Sequence, residues 1–171
     1  MTPFPPGILT LIYWLHMLAT VAWVGGQTTL ALIVLPAARK SLSGNQYSDF
    51  LDQVSRRLQL VGWLSLAVLI GTGMFQMSAS PSYRGFLAIN NPWSIAIFLK
   101  HAVIGVMVVA SAYITWGLTP TLQRLALLRA HGKGDAAALT ALQNREETLV
   151  QLNLFISVIV LLLTAWARSS G

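Results

Sequence analysis

The stretch Ile8–Leu35 reads ILTLIYWLHMLATVAWVGGQTTLALIVL and decides the fold. It contains no Asp or Glu. A helix crossing a bilayer core of about 30 Å needs roughly 20 apolar residues, so this run is long enough to span. Three further runs meet the same test, near Leu58–Met77, Trp93–Leu118 and Leu149–Ala167. The reading is a single all-α domain over residues 1–171, an integral membrane four-helix up-down bundle in contact with the lipid bilayer. Prolines punctuate it: Pro3, Pro5 and Pro6 break the chain before the first span. Pro36 is expected to stop that span, Pro92 precedes the third and Pro120 follows it.

Composition agrees. Hydrophobic residues make up 55% of the chain and charged residues 9%, against roughly 25% charged in an ordinary soluble domain. That balance excludes a soluble globular enzyme and a disordered chain. The chain has no cysteine, which excludes disulfides, iron–sulfur clusters, thiolate zinc sites and covalently attached c-type haem. The net charge of +6 does not mean nucleic acid, because the basic residues lie between apolar runs. Eight of them follow spans one and three: Arg39, Lys40, Arg56, Arg57, Arg124, Arg129, Lys133 and Arg145. Only Arg84 and Arg168 fall on the other side. The positive-inside rule then predicts cytoplasmic basic loops and both termini outside, in a bacterial-type inner (plasma) membrane. The first run is expected to remain in the mature chain. Nothing basic precedes it, and it is far longer than a signal-peptide core.

The basic-side segments are expected to be helical. Asn45 is placed to cap a helix through Tyr47, Phe50, Leu51 and Val54 into span two, and Asp135 to cap the helix leading into span four. Gly132 and Gly134 mark a turn between. Leu122–Ala130 mixes Leu with Arg and reads as interfacial. Inside the spans the polar residues form stripes. Tyr13, His16, Thr20, Trp23 and Gln27 recur at intervals of 3, 4, 3 and 4, one face of a helix. Ser65, Thr72 and Gln76 share a face in span two, and Asn153, Ser157 and Thr164 in span four. Span three carries Lys100 and His101, with Gly105, Val108 and Ala112 on the histidine's face. Polar groups facing lipid are costly, so the stripes should point into the bundle, where hydroxyls and amides bind helix to helix.

Two histidines stand at one depth. His16 and His101 each lie eight residues into spans that run the same way, so a rise of about 1.5 Å per residue puts both roughly 12 Å from the outer surface. Without carboxylate partners, two imidazoles suit a metal centre better than a proton relay. Helices one and three of an up-down bundle are diagonal, about 12–14 Å apart. A haem iron with two axial imidazoles holds their Cα atoms on the order of 12–13 Å apart, so haem b in electron transfer, with a redox partner, is the first reading. Trp23, Gly25 and Gly105 are candidate cofactor contacts, and Lys100 is a partner for a propionate or a snorkelling cation. Copper is the alternative: Met74 and Met77, one turn apart near the outer end of span two, offer thioethers to Cu(I) beside His16 and His101, or simply pack. A third reading is a cofactor-free subunit of a larger membrane complex. No residue is assigned as catalytic, and His131 reads as solvated.

The run Leu15-His16-x6-Trp23-Val24-Gly25-Gly26, followed by Val34-Leu35-Pro36, resembles the first helix of CopD-like copper-resistance membrane proteins. It also resembles that of the haem-binding HemJ-type protoporphyrinogen oxidases. Phe98-Leu99-Lys100 resembles the lysine-bearing third helix of both groups. The resemblance implies a compact helical bundle and either copper movement across the inner membrane or haem b bound through histidine. His16 and Lys100 correspond to the histidine and lysine that matter in the HemJ type. The chain lacks the Tyr-Leu-Pro-Arg and Tyr-His that follow in that type, so the CopD-like pattern fits the residues better.

Overall fold

The structure is a computed structural model that describes residues 5–42, 45–81, 83, 85, 89 and 91–170. It is an all-α four-helix membrane bundle: α1 (Pro6–Ser41), α2 (Asn45–Ser78), α3 (Pro92–Arg129) and α4 (Ala136–Ser169). No strand occurs among the described residues. All four helices are long and apolar enough to cross a membrane, and their outward faces carry large hydrophobic side chains such as Leu60, Val109 and Leu162. In lipid such faces need no protein partner, because a helix pairs its interior backbone groups within itself.

The chain forms two hairpins. α1 packs along α2 and α3 along α4; α1 also touches α4, while α2 meets α3 at the stretch Thr119–Ala130. Helices α1 and α3 therefore stand diagonal, as the up-down reading expects. At the basic end, where the eight cations gather, polar contacts tie the hairpins together. Arg39 pairs with Glu147 at 2.6 Å and donates to Asn144 Oδ1 at 3.0 Å, linking α1 to α4. Gln123 Nε2 donates to Asp52, linking α3 to α2. Beneath them Ala31, Leu35, Ala38, Tyr47, Leu51 and Val150 form an apolar cluster.

The first and third helices do not stop at their prolines. Each continues for two to three more turns past a π-helical stretch, Leu30–Val34 in α1 and Tyr113–Leu118 in α3. A proline inside a helix loses one hydrogen bond and presses its ring on the carbonyl four residues back. The wider turn relieves this. Leu35 N–H bonds to Leu30 O and Thr119 N–H to Ile114 O, five residues back. Pro36 and Pro120 then sit in the first turn of a fresh α segment, where a missing N–H costs nothing.

Both expected starts and the turn are present. α2 begins at Asn45, whose side chain lies outside the described residues, as does Arg84. Asp135 accepts from Ala137 N–H at 2.8 Å and caps α4. Gly132 takes φ +72°, with its own N–H on Arg129 O and Lys133 N–H on Leu128 O, a closure that ends α3. Gly134 lies so close to Arg129 N that an added Cβ would be 2.6 Å away. At the end opposite the basic loops, Asn91 and Ser94 exchange hydrogen bonds of 2.7 and 3.1 Å around the start of α3.

Candidate functional site

The stripe on α1 faces the bundle from His16 to Gln27, with Trp23 buried; Tyr13, nearer the N-terminus, is exposed. His16 lies against α2. Its Nδ1 is 2.8 Å from Thr72 Oγ1, and a Cβ on Gly73 would touch the ring edge at 3.5 Å. The threonine fixes the tautomer. Thr72 uses its hydroxyl proton on Val68 O at 2.6 Å, so its oxygen can only accept from the imidazole. The proton of a neutral His16 is therefore on Nδ1, and its Nε2 carries a lone pair. An imidazole held this way, one nitrogen donating to an oxygen and the other presenting a lone pair, is the arrangement a metal-ligating histidine adopts.

On α3 the inward line runs Trp93, Ala96, Lys100, Met107, Ser111 and Leu118. Lys100 is half-buried on that line. His101, one residue and about 100° further round the helix, is exposed, with Nδ1 donating to Ile97 O at 2.7 Å. Of the two, the side chain on the inward line of α3 is thus the lysine. Gly105 is exposed, and a Cβ there would meet nothing within 4 Å; the same is true of Gly25. Trp23 sits seven residues along α1 from His16, about 10 Å toward the basic end, packed with Leu66 and Met107. Met77 is buried with Trp93, Ala96 and Ala167, whereas Met74 is exposed. The two thioethers therefore face different ways. Thr164 is exposed and bonded to its own helix at Val160 O. Among the described residues, no group of three or more His, Asp or Glu side chains is placed to hold a metal ion.

The bundle interior is therefore layered. His16 and Thr72, with Lys100 on the inward line of α3, form a polar level toward the end opposite the basic loops. Trp23, Leu66 and Met107 form an apolar layer below it. Below that lies a second polar level absent from the sequence reading: a cavity of about 120 Å³ lined from all four helices, with Gln27, Gln59, Ser111, Glu146 and Asn153 among its walls. A signal for it was present. Glu146, Val150, Asn153 and Ser157 follow at intervals of 4, 3 and 4, so the polar stripe of α4 extends past the apolar run that defined the span. Comparison of the chain with protein-family models, with curated proteins and with solved structures gave no match.

Proposed function

We propose that this is a multi-pass inner-membrane protein that holds a metal centre through His16, with haem b in electron transfer as the group its residues fit best. The observation carrying this reading is the Thr72–His16 hydrogen bond, which leaves Nε2 as a ligand atom inside the bundle. Lys100 supports haem over a bare ion: a cation at this level repels a metal ion but answers an anionic propionate. Copper has less support, because Met74 and Met77 do not converge with His16. Haem b supplies one-electron chemistry when bound. His16 would hold the group through Nε2, whereas the exposed His101 would have to turn into the bundle to contribute. The eight-to-two distribution of basic residues supports cytoplasmic basic loops and outer termini, and the electron-transfer reading implies a donor or acceptor protein.

The test is the reduced-minus-oxidised visible spectrum of the purified protein. A sharp α band, lost in His16→Ala, is expected. A colourless protein that carries copper lost on the same substitution would replace haem by copper. A protein with neither metal, co-purifying with fixed partners, would make the chain a structural subunit of a larger complex.

A further inference from the structure

Two residues that line the cavity at the basic end each carry a buried polar atom without a protein partner among the described residues, Trp23 Nε1 and Asn153 Oδ1. The two residues are 6% and 4% exposed, and both line the cavity. One is a donor and the other an acceptor. Asn153 is otherwise engaged, its Nδ2 donating to Ser111 Oγ at 2.7 Å. A bare cation would satisfy Asn153 Oδ1 and leave the indole N–H stranded, and an anion would do the reverse. A guest that both donates and accepts answers both, and water is the smallest such guest. A volume of about 120 Å³ is room enough for water.

Polar groups stand at both ends of a largely apolar wall. Ser55, Gln59 and Glu146 line the end nearest the basic loops, while Trp23 and Asn153 lie deeper. From Glu146 to Asn153 is seven helical residues, about 10 Å. Beyond them Trp23, Leu66 and Met107 close the interior. We propose that this cavity is a hydrated vestibule, open at the basic end and sealed at the Trp23 layer. It would carry water, and the small polar solutes water carries, about 10 Å into the bundle. The proposal is independent of any group at His16.

Because the chain has no cysteine, single-cysteine variants report hydration cleanly. The variants are Ser111→Cys and Thr115→Cys inside the vestibule, with lipid-facing Leu161→Cys as the control. The probe is a charged, membrane-impermeant thiol reagent, added to sealed vesicles of each orientation. A thiol reacts as its thiolate, which an apolar setting suppresses, so both vestibule positions should label about tenfold faster than the control. They should do so only when the basic end faces the reagent. Gln59→Cys at the mouth repeats the measurement should Ser111→Cys fail to fold. Labelling no faster than Leu161→Cys overturns the proposal. Labelling from the opposite side, or from both, overturns the closed end.

Discussion

Thr72→Val removes one hydroxyl from the bundle while nearly keeping its shape. Two hydrogen bonds disappear, but their losses are unequal. Val68 O keeps its helical partner, so the bond that Thr72 gave it is dispensable. His16 Nδ1 loses the acceptor 2.8 Å away, and no water from lipid can replace it. A buried donor left unpaired costs about 1–3 kcal/mol in soluble proteins. Polar contacts between membrane helices couple more weakly, by ~0.6 kcal/mol on average and up to ~1.7. The contact is within one tight hairpin and has good geometry, so the upper half of the membrane range applies, about 1–1.7 kcal/mol. A double-mutant cycle of Thr72→Val with His16→Phe, read by denaturation in mixed micelles, isolates that coupling. Thr72→Ser should restore most of it. A coupling within ~0.3 kcal/mol of zero, inside the scatter of independent sites, or a serine variant as unstable as the valine variant, would refute the assigned hydrogen bond.

Other positions give sharper structural tests. Gly134→Ala puts a Cβ 2.6 Å from Arg129 N, so the α3–α4 turn must shift; a loss of roughly 1–3 kcal/mol in the same denaturation assay is expected. Gly132→Ala forces a side chain into the left-handed region at φ +72° and should cost about 1–2 kcal/mol. Ala96 is fully buried against α4, so Ala96→Leu should overpack that interface by about 1–3 kcal/mol. Arg39→Met breaks the pair with Glu147, but the arginine is partly exposed. Its cost should stay within about 1 kcal/mol and shrink further in high salt.

How far the sequence reached depended on the kind of signal. Hydropathy located all four spans because membrane insertion needs only length and apolarity. Asp135 and Gly132 were legible because capping and left-handed turns restrict residue choice strongly. The prolines misled as stop signals: Pro36 and Pro120 are breakers in a regular helix, and nothing local announces the wide turn that absorbs them. His16 was legible from a stripe of five residues. On α3 the adjacent Lys100 and His101 are only 100° apart, and a depth argument fixes height along a helix but not rotation about it. The rotation is set by packing of Trp93, Ala96 and Met107. Glu146 and Gln59 escaped because they lie at the edge of the apolar runs, although their helical spacing continues the inward face.

The most direct measurement is the metal content of the purified protein beside His16→Ala and His101→Ala. A centre held through His16 predicts stoichiometric iron in the native chain, its loss in His16→Ala, and its retention in His101→Ala. Equal metal in the native chain and His16→Ala, or none in either, would contradict it.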